Sequence, residues 1–358
     1  MLPTDILLYR QTDSIRLPNI LHGRQVNRMR EITIGKNDAG QRLDKFLSKA
    51  VKSLPTSLMY KSIRTKKIKL NRKRAEISTI LCEGDKIQLF LSDEFFTDGK
   101  KNIPANADSS LDIIYEDENI ILCNKPEGMV VHADQSGDES GTLIAHIQAY
   151  LYASGSYNPE DENSFAPALC NRIDRNTEGI VIAAKNAESL RILNEKIKNR
   201  EIKKYYLCVC HGYPAKKAAR LTGYMIKNSS ENIVRVYKER PNNPDARTMI
   251  TDYRVIAEKD GLSLLCVELI TGRTHQIRAH LASIGHPLLG DGKYGINRED
   301  RKRGFDHQAL CSYRVRFVFE GDGGILSYLN GKEFYVNPDK IDFLKLFPDV
   351  DLSFSDKQ

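Results

Sequence analysis

The sequence predicts an α+β fold, in which a large domain forms around a mixed, largely antiparallel β-sheet and a small α/β module precedes it. Short apolar runs with strand-like alternation recur from residue 111 onward, and few segments there show helical spacing. Two short amphipathic segments come before them and are followed by short strands bounded by turn residues. A chain of 358 residues is also long enough to bury two hydrophobic cores.

Shifts in composition divide the chain into five segments. The first 28 residues show no clear periodicity, and Met29 leads directly into an alternating strand, so we interpret these residues as an extension that is disordered or results from a misassigned start. The stretch before residue 111 is polar and contains Gly99 and Pro104, which is typical of a linker. The predicted segments are an extension at 1–28, a module at 29–93, a linker at 94–110, a large domain at 111–345 and a tail at 346–358.

The module begins with two helices. Leu43, Phe46, Leu47 and Val51 recur at helical spacing, and Pro55 then ends that helix. Thr56 or Ser57 can cap the next one, and two strands follow, at 68–70 and 86–91.

Basic residues are concentrated at the second helix and its exit. Eight of them lie between Lys61 and Arg74 with no acidic residue among them, in a chain whose net charge is +7. A solvated basic face is the usual meaning of such a run. Here the basic residues lie on a predicted helix and on the strand and turn that follow it. This ordered arrangement favours a polyanionic partner. The candidate contacts are Lys61, Arg64, Lys66, Lys67, Arg72 and Lys73.

The large domain alternates strands with few helices. Helical spacing predicts helices at 143–152, 187–199 and 278–284. Apolar runs predict strands, and Asn330-Gly331 is a strong two-residue turn signal that predicts a hairpin across 325–334. The predicted strands lie at 111–115, 120–123, 205–210 and 262–268.

The composition excludes several protein classes. No run approaches the roughly 20 apolar residues that a membrane-spanning helix needs. The N-terminus has no apolar stretch between basic and small residues, so we expect no secretory signal and a cytoplasmic protein. The seven cysteines are scattered without a C-x-x-C pair, which favours free thiols over zinc ligands. His275 and His280 lack the spacing of two ligands on one helical face, so we expect no metal.

One carboxylate stands between two arginines in the run Asn171-Arg172-Ile173-Asp174-Arg175-Asn176-Thr177-Glu178-Gly179. Nearby positive charge favours the ionised carboxylate, and an ionised carboxylate in a turn before a buried strand is a candidate nucleophile. Taken alone, the segment favours a surface turn whose Asp bonds its own backbone. A second segment, Thr271-Gly272-Arg273-Thr274-His275-Gln276-Ile277-Arg278, decides between these interpretations.

Together the two segments resemble the RluA-type pseudouridine synthases, which carry His-Arg-Leu-Asp-x-x-Thr-x-Gly and later Thr-Gly-Arg-Thr-His-Gln-Ile-Arg. Asn124-Lys125-Pro126-Glu127-Gly128 and Lys204-Tyr205-Tyr206 resemble two further family motifs in the expected order, so the resemblance covers about residues 111–320. One departure is Asn171, which stands where the family usually has His and cannot carry its charge.

The resemblance implies an RNA-modifying isomerase that needs no cofactor. It carries the family's catalytic aspartate onto Asp174, the family's active-site tyrosine onto Tyr206, and an arginine that orients the carboxylate onto Arg273. It also places Arg172 where the family displaces the target base. Lys204 and Arg278 are expected to hold phosphates or brace the pocket.

The module at 29–93 resembles the S4-like RNA-binding domain, which implies RNA as the partner and binding that weakens with salt. This combination is similar to family members that act on large-subunit ribosomal RNA, and we expect a monomer. The alternative is a non-catalytic RNA-binding or ribosome-assembly factor that retains the fold. Such a factor would be free to lose Asp174, Arg273 or Tyr206, and this chain keeps all three.

Overall fold

The computed structural model describes residues 29–96, 110–133, 140–228 and 230–352. The predicted extension at 1–28, most of the predicted linker and the end of the tail lie outside the described residues. Within the described ranges, no helix has the length and apolar character needed to cross a membrane.

The N-terminal module is a four-stranded sheet covered by two helices. The strands run antiparallel in the order β1-β4-β2-β3, and they enclose a core of their own that includes Phe46, Ile63 and Ile87. Its elements are β1 (Arg30–Thr33), α1 (Leu43–Ala50), α2 (Thr56–Arg64), β2 (Ile68–Leu70), β3 (Lys73–Arg74) and β4 (Lys86–Leu89).

The large domain contains the remaining strands and helices. They are β5 (Ile113–Glu116), β6 (Ile120–Lys125), α3 (Leu143–Ala153), β7 (Ala168–Leu169), β8 (Glu178–Ala184), α4 (Ala187–Lys198), β9 (Ile202–His211), β10 (Ala218–Asn228), β11 (Ile233–Tyr237), β12 (Arg247–Lys259), β13 (Leu262–Leu269), α5 (Gln276–Ser283), α6 (Arg298–Lys302), β14 (Leu310–Phe317) and β15 (Glu333–Tyr335). Short 3₁₀ helices lie at Asp93–Phe96, Pro159–Asp161, Gly324–Leu329, Pro338–Lys340 and Asp342–Leu346.

These strands form one mixed sheet of 11 strands. Its main path runs β11-β10-β12-β13-β9-β14-β8-β6-β5, while β15 pairs with β14 and β7 pairs with β8. Among the described strands, the β8–β14 pair is parallel and every other pair is antiparallel. The α+β prediction with a largely antiparallel sheet is therefore confirmed.

Both faces of the central strands are buried. On β8, Ile180 and Ile182 face the core that contains Leu193 of α4, whereas Val181 and Ala183 face the core that contains residues of α3 and α5. The same alternation places Tyr206 on the face covered by α3 and α5. This side is called the α3/α5 face.

The hairpin predicted across 325–334 is wrong. Residues Gly324–Leu329 wind into a 3₁₀ helix whose buried Leu326 and Leu329 are three positions apart, a spacing that suits a helical turn. Gly331 does occupy a turn, with a φ of 82°, but the strand after it pairs with β14.

Polar contacts join the module to the large domain. The Asn37 side chain accepts a hydrogen bond from Ala187 N at the start of α4 and donates one to Glu162. Buried Asp38 accepts hydrogen bonds from Asn163 and Ser164 at 2.7 and 2.6 Å. Two further bonds run from Gln41 to Ser164 and from Arg191 to Ala39 O. This set of contacts is called the polar interface.

Candidate active site

A cavity of about 1130 Å³ opens on the α3/α5 face of the sheet. The residues around it come from distant parts of the chain, namely the loop before β8, strand β9 and the start of α5. It brings together six residues that the sequence singles out, and they are Arg172, Asp174, Lys204, Tyr206, Arg273 and Arg278.

Asp174 lies in a loop whose backbone is fixed from several sides. Thr177 N donates a hydrogen bond to Asp174 O, and the fully buried Lys125 donates one from Nζ to Arg175 O at 2.8 Å. Lys125 also donates to Pro126 O and Met129 O, so one ammonium group ties the end of β6 to this loop. Burial lowers the pKa of Lys125 to about 8.

Asn171 begins the same loop and bonds to β8. Its side-chain oxygen accepts a hydrogen bond from Ile182 N at 2.8 Å, and its amide nitrogen donates to Ile180 O at 3.4 Å. The side-chain amide of Asn171 thus continues the hydrogen-bond pattern along β8. This role requires one donor and one acceptor but no charge.

One arginine, Arg278 of α5, holds the Asp174 side chain. Its Nη1 donates to Asp174 Oδ2 at 3.1 Å, while Nε and Nη2 grip Asp291 at 2.7 and 2.9 Å. Burial by itself would lower the pKa of Arg278, but the hydrogen bonds and charge of Asp291, together with the charge of Asp174, raise it. No hydrogen bond from the described part of the chain reaches Asp174 Oδ1.

The predicted pairing of Arg273 with Asp174 is therefore wrong. Arg273 precedes α5, is exposed, and donates from Nε to Thr248 O at 3.4 Å. Of the two roles expected for Arg278, its contacts favour bracing the pocket over holding RNA phosphates, because its buried guanidinium is already occupied by two carboxylates.

Tyr206 and Lys204 reach the cavity from β9. Tyr206 is 5% exposed, and burial raises the pKa of its hydroxyl to about 12, so the phenol is protonated near neutral pH. Lys204 is partly buried, its pKa is lowered by burial, and it forms no ion pair within the described residues. An anionic ligand close to Lys204 would favour the charged form of its side chain.

Arg172 lies at the exposed rim of the cavity, next to the Asp174 loop. Three more cationic residues line the cavity without having been predicted as site residues, and they are Arg175 of the Asp174 loop, Lys227 from β10 and Lys293 from the loop after α5. The surroundings of Asp174 are therefore strongly basic.

Three further residues near Asp174 were also missed by sequence reasoning. His275 Nε2 is 3.9 Å from Asp174 Oδ2, and its Nδ1 is 3.0 Å from the hydroxyl of Tyr294. Asp291 completes the grip on Arg278. The signal for Asp291 is its place in Gly290-Asp291-Gly292, since an acid in a tight turn is a natural buried partner for an arginine.

The predicted basic contacts of the module are exposed and none lines the cavity. Within the described residues they form no ion pairs, so their charge faces solvent. Lys61, Arg64, Lys66, Lys67, Arg72 and Lys73 are together called the basic surface.

Comparison with known proteins gives consistent matches. Residues 119–283 match the family described as RNA pseudouridylate synthase. A ribosomal large subunit pseudouridine synthase C from Vibrio cholerae is 30% identical over 298 residues, which cover 80% of this chain and 88% of that protein. An uncharacterized RNA pseudouridine synthase from Mycoplasma genitalium is 34% identical over 296 residues, covering 79% and 88% of the two chains.

A solved structure also shares the fold. The human protein RNA Pseudouridylate Synthase Domain Containing 4 aligns with a TM-score of 0.51 at 19% sequence identity, covering 67% of this chain and 94% of that chain.

Proposed function

The chain belongs to the RNA pseudouridine synthase family, and we propose that it converts specific uridines of structured RNA to pseudouridine at the cavity beside Asp174. The reaction breaks the bond between uracil and its ribose, turns the base within the site and rejoins it through a carbon atom. A site for this chemistry needs an oriented carboxylate, a surface that holds the turning base, and a way to extrude the nucleotide from the RNA.

The geometry of Asp174 is the observation that carries the proposal. Its Oδ2 is held by Arg278, whereas its Oδ1 receives no hydrogen bond from the described residues. A carboxylate restrained through one oxygen presents the other in a fixed direction. We assign Oδ1 as the atom that attacks the substrate or takes its proton.

Tyr206 and the cations are assigned to substrate binding. The buried ring of Tyr206 offers a flat surface for the extruded base, and its protonated hydroxyl can donate a hydrogen bond. Lys204 would hold a phosphate, Arg172 at the rim would fill the space that the base leaves, and exposed Arg273 would contact the RNA backbone.

Large-subunit ribosomal RNA is the proposed substrate. The Vibrio cholerae relative is named as a ribosomal large subunit enzyme. Residues 29–93 are proposed to act as an S4-like module that binds the RNA, because the basic surface is exposed and free of ion pairs within the described chain. The chain is proposed to work as a monomer without a cofactor.

Replacement of the nucleophile tests the activity. Asp174→Asn keeps the shape and one acceptor oxygen but removes the negative charge, so we expect turnover to be lost while RNA affinity changes less than about threefold, as for a group that acts on the reacting atoms. Pseudouridine formation on ribosomal RNA and RNA binding are measured on the same preparations.

Asp260→Asn is a matched control, since it makes the same exchange at an exposed turn residue that does not line the cavity, with a left-handed backbone that Asn also tolerates. Multiple turnover by the Asp174→Asn protein would remove Asp174 from its role. Wild-type protein that binds ribosomal RNA tightly yet forms no pseudouridine would instead favour the alternative of a non-catalytic assembly factor.

A pseudouridine map of ribosomal RNA, made with and without the gene, identifies the substrate. We expect one or a few large-subunit positions to disappear and to return with the wild-type gene but not with Asp174→Asn. A map that is unchanged would exclude ribosomal RNA as the substrate.

A further inference from the structure

His275 occupies a backbone conformation that side-chain-bearing residues rarely adopt. Its φ of 50° and ψ of 22° lie in the left-handed region, directly before the first residue of α5. Its side chain makes no capping hydrogen bond to that helix. Such strain persists where the surrounding structure fixes it, and it is concentrated at functional sites. A left-handed histidine that lines the cavity is therefore a candidate for a functional role.

The contacts of its ring point to that purpose. The imidazole is 8% exposed and lies between two partners, the hydroxyl of Tyr294 at 3.0 Å from Nδ1 and Asp174 Oδ2 at 3.9 Å from Nε2. Tyr294 also packs edge-on against the ring, with centroids 5.7 Å apart. The histidine thus connects a tyrosine behind the cavity to the carboxylate inside it.

The hydrogen bonds of Tyr294 favour one tautomer of His275. The Tyr294 oxygen accepts a hydrogen bond from Val234 N at 2.9 Å, and it has one hydrogen of its own to give. Among the described residues, His275 Nδ1 is the acceptor within reach of that hydrogen. An Nδ1 that accepts leaves the hydrogen of a neutral imidazole on Nε2, the nitrogen nearer to Asp174.

The ring is neutral at the pH where the enzyme would work. Burial lowers the pKa of His275 to about 4, and the charges of Arg278 and Lys293 act in the same direction, against the opposing charge of Asp174. A neutral Nε2–H donates a hydrogen bond without adding a second full positive charge beside the carboxylate that Arg278 already neutralises.

We propose that His275 is a positioning residue for the pseudouridine reaction, whose Nε2–H, set by Tyr294, holds Asp174 Oδ2 so that Oδ1 faces the substrate. This inference rests on the proposed function of Asp174. The 3.9 Å separation is longer than a hydrogen bond, so the role requires this contact to shorten when substrate binds, as catalytic hydrogen bonds often do. Arg278 and His275 then hold one oxygen from two directions.

The tautomer is tested directly by ¹⁵N NMR of the whole protein labelled at histidine, with the His275 signals identified by their loss in His275→Asn. We expect a pyridine-type Nδ1 and a pyrrole-type Nε2 near neutral pH. In Tyr294→Phe the ring should lose its preference for that tautomer. A hydrogen on Nδ1 in the wild type, or a charged ring near neutral pH, would overturn the proposal.

Kinetics test the positioning role. We expect His275→Leu to lower kcat between about 10-fold and 100-fold with KM for RNA unchanged, because misplacing a reacting group costs about that much. His275→Asn, which tolerates the left-handed backbone and keeps an N–H donor, should recover part of the loss. Tyr253→Phe is the control, since this tyrosine donates to Lys216 O and does not line the cavity.

The outcomes distinguish a failure of the proposed function from a failure of the role of His275. The NMR measurement needs no substrate, so a wild-type protein with the expected tautomer but no activity on RNA would overturn the proposed function and the role of His275 in it. An active enzyme whose kcat is unaffected by His275→Leu would overturn the positioning role alone. A fall in kcat with partial recovery in His275→Asn supports it.

Discussion

Arg278 joins two carboxylates that serve different purposes. Its Nε and Nη2 bond Asp291, whose side chain is fully buried, and its Nη1 bonds Asp174 at the cavity. The pairing with Asp291 fixes the plane of the guanidinium, and this fixed plane in turn directs Nη1 toward Asp174. The same residue therefore contributes to the stability of the fold and to the orientation of the proposed nucleophile.

Substitution of the two arginines of this motif separates their roles. Arg278→Met should lower the free energy of unfolding by about 3–5 kcal/mol, because it leaves Asp291 buried without its counter-charge. Arg273→Met should change it by less than about 0.5 kcal/mol, since the side chain is exposed. Urea unfolding measures both. A larger loss in Arg273→Met than in Arg278→Met would contradict the assignment.

The sequence identified the segment that holds Asp174 but not the correct arginine. Arg273 and Arg278 stand five positions apart, and only the start of α5 at Gln276 determines which of them points inward. The two positions were indistinguishable by charge and residue type. His275 was missed for a related reason, because its left-handed backbone and its contact with Tyr294 depend on a loop that lies 19 residues away.

The turn into β8 places the proposed nucleophile against the centre of the sheet. Gly179 has a φ of 113°, and a Cβ built there would lie 2.4 Å from Ser312 O of the neighbouring β14. The close approach occurs at the parallel contact between these two strands. The element thus requires glycine for two reasons, its backbone angle and the absence of a side chain.

Gly179→Ala should lower the free energy of unfolding by about 2–5 kcal/mol, the combined cost of backbone strain and overpacking. Gly128→Ala is the matched control, because Gly128 also has a positive φ of 82° but nothing lies within 4 Å of the added methyl group. Gly128→Ala should lower the free energy of unfolding by about 1–2 kcal/mol, from backbone strain alone. Equal losses in the two variants would show that the close approach to β14 is unimportant.

Elements with a strong apolar pattern were predicted well and weakly patterned ones were not. The helices predicted at 143–152 and 187–199 were found at Leu143–Ala153 and Ala187–Lys198. The long strands β10 and β12 lie toward the sheet edge, where many of their residues are exposed, so no continuous apolar run identified them. The predicted hairpin across 325–334 was wrong for a local reason. Turn residues indicate where the chain reverses, but they do not indicate which strand pairs with the next one.

On the scale of the whole molecule, positive charge is divided between the cavity and the basic surface. Lys204, Arg172, Lys227 and Lys293 line the cavity, while the basic surface lies on the module. An RNA large enough to meet both would neutralise several phosphates at once, and its affinity would fall steeply with salt.

Removal of charge from the basic surface tests the module as an RNA anchor. Lys66, Lys67 and Lys73 changed together to Gln should lower RNA affinity and reduce the slope of log affinity against log salt by about 0.7–0.9 for each phosphate that the variant no longer neutralises. The control changes Lys198, Lys216 and Lys259, which are exposed and do not line the cavity. Equal slopes for the two triple variants would rule out the basic surface as the anchor.

The sequence predicted a hydrophobic core for the module and another for the large domain, but it did not predict the polar contacts that join these two parts. Each core follows from apolar spacing within its own segment, which is local information. Much of the polar interface pairs Asn37, Asp38 and Gln41 with residues 162–164. These are polar residues of a kind found in many turns and loops, and their pairing across more than 120 positions leaves no mark on the pattern. Separate domains joined by a linker were therefore the natural prediction.

The polar interface sets the separation between the basic surface and the cavity in this structure. Asp38 is buried at this interface and Asn37 accepts a hydrogen bond from the first turn of α4, so these contacts hold the module against the large domain. An RNA gripped at the basic surface would reach Asp174 only if its fold places a uridine at that one separation. The enzyme would then select its target by the distance between the RNA segment that binds the basic surface and the uridine that enters the cavity. The same nucleotide sequence in a longer or shorter stem would not be modified.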